Sequence, residues 1–398
     1  MIFTRLKFNN LCAFSDAEIN LSFPRQLANS PLDNEFLHGR PKFYFRKVCV
    51  ITGANASGKT SLGRMIWGLQ SFLFSKNLHS SAFPINDKNK CASFEVDFAS
   101  DDFTHHRIYV RFKSDPTGSH IINEIKYACV NIGVNDSCVK TTKQLDIEFA
   151  SHESKKAVKY FYGVAAEGYS VNLEEFKKIR FRAGWYYLLS ETKETNDEIS
   201  DIDKNTLELV MKTFDPSIKS VSELREIQEI DGEKKEILSG FSIRFQNNDN
   251  VIVTKSGEVA NYTRLSRGTY DAVKLSLFIS AIQADYLEME EHENTVCMAY
   301  FLDERMAYVH SELERAIITL IIAKLPINSQ FFYTTHNSDI FKLDLPIHSF
   351  IFLKKEHDNT IFVDASKILK KNDRNLSKYV ENDVFGVLPD LSLIEELI

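Results

Sequence analysis

The run Ile51-Thr52-Gly53-Ala54-Asn55-Ala56-Ser57-Gly58-Lys59-Thr60-Ser61 decides the reading of this chain. The apolar segment KVCV (residues 47–50) precedes it, and LGRMIWGLQSFLF (residues 62–74) comes after it. Residues 53–60 fit G-x-x-x-x-G-K-[ST], and each constant position has a mechanical reason. The two glycines permit backbone angles that turn successive N–H groups inward. Lys59 offers a positive charge to the β and γ phosphates of a nucleotide, and the Thr60 hydroxyl offers a ligand to Mg²⁺. A helix starting here points its positive end at the same anion. Gly53, Asn55, Ala56, Ser57, Gly58, Lys59, Thr60 and Ser61 are therefore expected to cradle a nucleoside triphosphate, with ATP and Mg²⁺ as cofactors.

The flanking patterns support that context. KVCVIT reads as a short buried strand. After the loop, apolar residues at 62, 65, 66, 69, 72 and 73 have helical spacing. Upstream, IFTRLKF and AEINLSF alternate as two strands, and residues 24–45 are polar and proline-containing, as in a loop or insertion. CASFEVDF and HRIYVRFK alternate again, and residues 120–150 continue that texture, which predicts an antiparallel sheet arm. Residues 151–212, with Lys and Glu interspersed, read as mainly helical, and residues 236–263 as short strands. A long helix (269–290), a buried strand TVCMAYFL, a helix (311–325) and a buried strand SQFFYTT come next. HSFIFLKK and TIFVDAS close as a hairpin. The expectation is an α/β fold with an N-terminal antiparallel arm, a central mostly parallel sheet flanked by helices, and a helical insertion. The organisation read from this is a single 1–398 unit. It comprises a loop-bearing lobe (1–150), an insertion (151–235) and a second lobe (236–398).

Composition narrows the function classes. With 398 residues, 43% of them hydrophobic, the chain is long enough for one large domain or two medium ones. The net charge of −7 argues against a strongly basic non-specific DNA binder. The six cysteines form no CxxC pair and stand beside no His at zinc spacing, so reduced, mostly buried thiols are expected. No leader and no membrane-length apolar run is apparent, so the expected location is the cytoplasm. Thirty Phe and fifteen Tyr imply an aromatic core or apolar surface kept for a partner.

A triphosphate cradle does not hydrolyse alone; it needs an acidic metal ligand and a group that activates water. TVCMAYFLDE ends an apolar strand at Asp303, the expected Mg²⁺ ligand, with Glu304, the expected general base, directly after it. Leu265-Ser266-Arg267-Gly268-Thr269 opens a helix, so Ser266 and Gly268 form either a second anion corner or an ordinary N-cap. FFYTTHNSD sets His336 just beyond a buried strand, where a γ-phosphate sensor would stand.

The order of these motifs resembles the ABC-type ATPase heads of the SMC, RecF and OLD proteins. That resemblance implies an ATPase in which Ser266 and Gly268 act in trans, two heads sandwiching two ATPs as a homodimer. IFTRLKFNNLCAFSDAEINLSF is similar to the first hairpin of such heads. HSFIFLKKEHDNTIFVDAS and NLSKYVENDVFGVLP resemble the tail of compact ATPases of bacterial antiphage systems, including abortive-infection, Septu-like and PARIS-like ATPase subunits. The tail resemblance implies a regulatory subunit whose ATP-driven dimerisation controls a separate effector, a nuclease being the expected kind. A trimer of dimers is a further assembly it admits. The family often has Pro after Asp-Glu, where this chain has Arg305, although His310 preserves a later spacing. Gln70, Gln144 and Gln228 leave a further Mg²⁺-site glutamine unassigned. Two other readings stay open. A RecF-like repair ATPase would bind DNA through KKIRFR (177–182) with Lys155, Lys156 and Lys159, a run that also suits a solvated helix face. A scaffold would use ATP for assembly without turnover.

Overall fold

Strands buried on both faces read as unbroken apolar runs, and three such runs build the sheet that carries the glycine loop. Val48–Gly53 is buried up to its last residue, and Met298–Asp303 and Ser329–Thr334 are buried throughout. In the computed structural model, which describes residues 1–25, 30–150, 159–166, 169–190, 202–230, 233–292, 296–369 and 376–388, these runs lie side by side and parallel. The sheet order is Gly184–Leu188, Met298–Asp303, Ser329–Thr334, Val48–Gly53, Phe350–Glu356 and Asn359–Asp364. Phe350–Glu356 continues the parallel set, and Asn359–Asp364 closes it antiparallel as the expected hairpin. The fold is α/β, with a mostly parallel sheet.

The chain divides into two compact units. The first comprises Met1–Trp185, Thr295–Asp303 and Ile327–Ile398. Besides the strands Met298–Asp303, Ser329–Thr334, Val48–Gly53, Phe350–Glu356 and Asn359–Asp364 it holds an antiparallel sheet in the order Ala17–Asn20, Ile2–Asn9, Ala92–Ala99, Thr104–Ser114, His120–Asn131, Lys159–Val164. The helix Lys59–Ser75 buries Leu62, Met65, Ile66, Leu69, Phe72 and Leu73, the predicted face. Phe72 meets Phe94 of the antiparallel sheet edge-on, with ring centroids 5.8 Å apart. Phe83 stacks on Phe94 at 5.1 Å. The aromatic excess is thus largely core: among the described residues Phe74 is the one markedly exposed phenylalanine. All six cysteines are free thiols; Cys91 is exposed, Cys12 half-buried and the other four buried.

The second unit comprises Tyr186–Asn294 and Glu304–Pro326. It contains the helices Lys204–Phe214, Arg267–His292 and Ser311–Lys324, and a three-stranded sheet ordered Ile218–Ile230, Glu233–Phe245, Asn250–Thr254. Asp203 caps the first of these helices, accepting from the Thr206 N–H at 2.7 Å.

Three stretches differ from the sequence expectation. Residues 24–45 include a small hairpin, Phe36–Leu37 with Arg40–Tyr44, too short and polar to show a period. Residues 120–150 are half strand and half helix. Cys138–Ala150 packs Leu145 against Ala128 and Val130, so the helix is stabilised by the sheet it covers. Over 151–235, where a helical insertion is expected, the described residues mix helix with strand. They hold only the helices Glu174–Lys177 and Lys204–Phe214, beside the strands Lys159–Val164, Gly184–Leu188 and Ile218–Ile230. Lys159–Val164 is strand because His120–Asn131 offers it a hydrogen-bonding edge. Ile218–Ile230 is strand because it pairs along its length with Glu233–Phe245.

An ion-pair network ties the antiparallel sheet together. Arg107 holds the fully buried Asp97 through two bonds of 2.7 Å, and Arg5 Nε reaches the same carboxylate at 3.1 Å. Burial pushes the Asp97 carboxyl up, but the two guanidiniums outweigh it and hold it below the usual range. Asp97→Ala would leave Arg107 buried without its bidentate partner, and should lower unfolding free energy by about 3–5 kcal/mol in urea titrations. Because the folded-state pKa is depressed, this contribution is complete above the ordinary aspartate value of about 3.9 and is lost as pH falls through the folded value. The gap between wild type and variant should therefore persist at neutral pH and close only in strong acid.

Candidate functional site

The loop leaves the central strand at Gly53, and local contacts dictate glycine there. A Cβ at this position would overlap the carbonyl oxygen of Leu353 on the neighbouring strand and press on Ser57 Oγ at 2.8 Å. The second glycine is needed for a different reason. Gly58 has φ 95°, in the left-handed region, and the ring of Phe14 lies 3.2 Å from where its Cβ would be. Ala56 is left-handed as well, at φ 59°. Alternating left-handed residues make successive N–H groups converge into an anion-binding concavity. Lys59–Ser75 begins directly afterwards, and no side chain caps its start. The first-turn N–H groups are those a helix leaves for outside acceptors.

The buried serine of the loop is equally telling. Ser57 is fully buried, and its hydroxyl has no hydrogen-bond partner among the described residues. Lys59 is 4% exposed and its ammonium folds over the loop, donating to the carbonyls of Gly53 at 2.9 Å and Ala54 at 3.1 Å. A cation thus stands over a loop whose left-handed residues turn its amides inward, and whose first glycine is fixed by packing against the neighbouring strand. That donor set fits a phosphate chain. Thr60 and Ser61 are half-buried at the helix start, and Asn55 lies exposed at the loop crest.

The register of the sheet sets the remaining groups. Asp303 pairs with Thr334, and Thr334 with Ile51, so Asp303 stands level with the base of the loop two strands away. Two strand spacings amount to about 10 Å. Asp303 is fully buried, and the Thr334 hydroxyl donates to its Oδ1 at 2.5 Å. Thr334 orients this carboxylate; sequence reasoning did not single it out, although it stands two residues before His336. The chain then turns at Thr335–Ser338. The Asn337 N–H donates to Thr335 Oγ1 at 3.0 Å, and Asn337 caps the next turn by accepting from Asp339 N–H at 2.9 Å. This pinned turn presents His336 to a cleft of about 290 Å³ shared with Thr52, Gly53, Ala54 and Asn55. Phe341, Val380, Val387 and Leu388 form its apolar wall, a contribution from the tail that motif reading missed. The structure therefore brings His336 and the loop together.

The other predicted residues belong to the second unit. Glu304 succeeds the buried Asp303 with φ 48°, an uncommon left-handed conformation for a residue with a side chain. Arg305 donates to the Leu189 carbonyl at 2.5 Å and reaches Asp271 Oδ1 at 3.4 Å, fastening the turn after Glu304 to the first turns of Arg267–His292. Burial raises the Asp271 carboxyl, opposed by Arg305. His310 caps Ser311–Lys324, accepting from the Glu312 N–H. Ser266 is the residue before Arg267–His292, and its Oγ accepts from the Thr269 N–H at 3.1 Å. Gly268 is unlike the loop glycines: its φ is ordinary, and a Cβ would meet nothing nearer than the Tyr308 carbonyl at 4.0 Å. Packing inside the chain does not require glycine there.

Part of the basic run is engaged in ion pairs. Lys177 and Lys178 pair with Glu174 and Glu175 at 2.9 and 2.6 Å, and Arg182 lies 3.7 Å from Asp101. Lys159 starts a strand, while Lys155 and Lys156 lie outside the described residues. Gln70 is buried within Lys59–Ser75, Gln144 lies on Cys138–Ala150 and Gln228 is exposed on Ile218–Ile230; none lines the cleft. Among the described residues there is no cluster of three metal-binding side chains, and no helix is long and apolar enough to cross a membrane.

Neither a family model nor a curated protein matches this chain. Among solved structures, it is similar to an SMC head bound to the C-winged helix domain of ScpA. The identity is 16%, the match covers 93% of this chain and 100% of that one, and the TM-score is 0.46. It is similar to the SMC head domain from Thermotoga maritima at 14% identity, with 92% and 99% coverage and a TM-score of 0.37. RecF in its complex with ATPrS is 11% identical, with 91% and 98% coverage and a TM-score of 0.43.

Because the collision at position 53 is with backbone, Gly53→Ala cannot be relieved by a rotamer change. It should abolish ATP binding measured by fluorescent-nucleotide titration, and cost about 1–3 kcal/mol of stability from overpacking. Gly268→Ala, where space is open, should leave both unchanged in the isolated chain.

Proposed function

We propose that the chain is an ABC-type ATPase head. The carrying observation lies within one compact unit: the loop Gly53–Thr60, the buried Asp303 held by Thr334, and His336 on the same cleft as Gly53–Asn55. In this reading Lys59 leaves the carbonyls of Gly53 and Ala54 for the phosphates of ATP. Thr60 and Asp303 would hold Mg²⁺, which neutralises phosphate charge when bound. Glu304 accepts a proton from the attacking water, and His336 senses the γ-phosphate. Ser266 and Gly268 serve a second copy. The unfilled space at Gly268 supports this, since a glycine without an internal packing reason suits close approach from outside.

The output is inferred from the tail resemblance: a regulatory subunit of a bacterial antiphage complex, in which ATP-dependent head pairing controls a separate effector, expected to be a nuclease. Such control is limited by the difference in ATP affinity between paired and unpaired heads. Two of the four cations at residues 177–182 are taken up by Glu174 and Glu175, which weakens the support for the DNA-binding alternative.

Glu304→Gln should keep ATP affinity, lower phosphate release by about 10²–10⁴-fold and accumulate as dimer in light scattering. Turnover at the wild-type rate would remove Glu304 as the base. Lys59→Ala should lose ATP binding, and retained affinity would contradict the cradle assignment. The effector reading is tested by purifying Glu304→Gln in ATP-Mg²⁺ with the products of its flanking genes. A stoichiometric second protein supports it; nucleic acid alone moves the assignment to a repair-type ATPase.

A further inference from the structure

The strand Ile218–Ile230 is an outer strand of its three-stranded sheet, with one edge unpaired by any other strand among the described residues. Its base is anchored, since Ile218 and Val221 are buried. From Ser222 to Glu229 it is exposed, apart from the half-buried Leu224, and Ile227 is 68% exposed. A long regular edge is a pairing template unless charge or irregularity blocks it. The pairing has two irregularities: one sets Lys219 as an extra residue at the base of this strand, below the exposed stretch, and the one beside Leu224 lies on the inner strand. Leu224 pairs with Gly240 and Arg225 with Leu238, so the extra residue is Ser239, and Ser220–Ile230 stays regular.

We propose that this edge pairs with the same edge of a second copy of the chain, antiparallel and centred on Leu224. A two-fold axis through an antiparallel pair is perpendicular to the sheet, so one residue must face itself. Centring on Glu223, Arg225 or Glu226 would set two like charges face to face, which is unfavourable. Centring on Leu224 apposes leucine with leucine and places Glu223 opposite the partner's Arg225, twice by symmetry. Val221 then faces the partner's Ile227, Ser222 the partner's Glu226 and Ser220 the partner's Gln228. No like charges meet between 220 and 228. Glu223 and Arg225 already lie on one face of the strand, 2.8 Å apart as an ion pair, so the dimer extends an existing charge row.

The backbone agrees with this register. The Leu224 carbonyl accepts from Ser239 Oγ at 3.1 Å, so the main-chain groups of Leu224 turn inward. Those of Glu223 and Arg225 turn to the open edge, because directions alternate along a strand. Glu223 and the partner's Arg225 thus form a hydrogen-bonded pair, and the two leucines a non-hydrogen-bonded pair with Cα atoms about 4.5 Å apart. This contact uses none of the nucleotide-site residues and holds with or without ATP.

The test uses the full chain without nucleotide, in a Cys91→Ser background that removes the exposed native thiol. Light scattering should find a dimer. Arg225→Glu and Glu223→Arg should each weaken it at least tenfold in dissociation constant, and the double exchange should restore it. Leu224→Cys should give a disulfide-linked dimer under mild oxidant. Circular dichroism spectra should stay at wild-type shape for Arg225→Glu and Glu223→Arg, both at exposed positions, so that loss of the dimer is not loss of the fold. A nucleotide-free monomer overturns the proposal. So does a dimer that ignores both charge reversals and forms no 224–224 disulfide. Repeating the measurement in Lys59→Ala separates this contact from ATP-driven pairing: loss of ATP binding should leave the dimer intact.

Discussion

The approach of Gly53 to the carbonyl of Leu353 is the constraint on which the site depends. It exists because Val48–Gly53 is wedged between two parallel strands and cannot shift to admit a side chain. The chain must leave the sheet here through a bare backbone and rise into left-handed turns at Ala56 and Gly58. Phe14 lies against Gly58 and stacks on Phe362 at 5.4 Å, so the N-terminal turn and the closing hairpin brace the loop from below. The cradle is a consequence of strand order and packing.

The same sheet explains how distant residues converge. Parallel strands end at a common edge, and Asp303, Thr334 and Gly53 come from three strands that end there. Asp303 can be fully buried because Thr334 satisfies one of its oxygens. His336 reaches the cleft because its turn is fixed by Asn337 and Thr335. Loops placed by a rigid sheet are where chemistry can vary without loss of the fold.

These constraints also account for how much was legible in the sequence. The loop strand, its helix and the Asp303 and His336 strands declared themselves because burial on both faces demands unbroken apolar runs. Lys159–Val164 and Ile218–Ile230 did not. Most of Ile218–Ile230 is solvated on both faces, so its Lys, Arg and Glu show no period of two and read as helix. Cys138–Ala150 was obscured for a related reason: it has few buried positions, and the sheet beneath them makes it a helix. Within the site, the glycine loop and His336 stand out by residue type and spacing, and the structure sets His336 and Gly53–Asn55 on one cleft. Thr334, Phe341 and the tail residues Val380, Val387 and Leu388 do not stand out in this way, since their relevance comes from folding distant segments against the loop.

The central claim is that residues 53–60 and the turn at His336 form one triphosphate-binding site. Hydrogen exchange on peptides spanning residues 51–62 and 333–341, with ATP-Mg²⁺ and with AMP, tests it directly. The account predicts slowed exchange in both segments with ATP and little change with AMP, which lacks the β and γ phosphates. Equal protection by AMP, or no change in the loop with ATP, would contradict it.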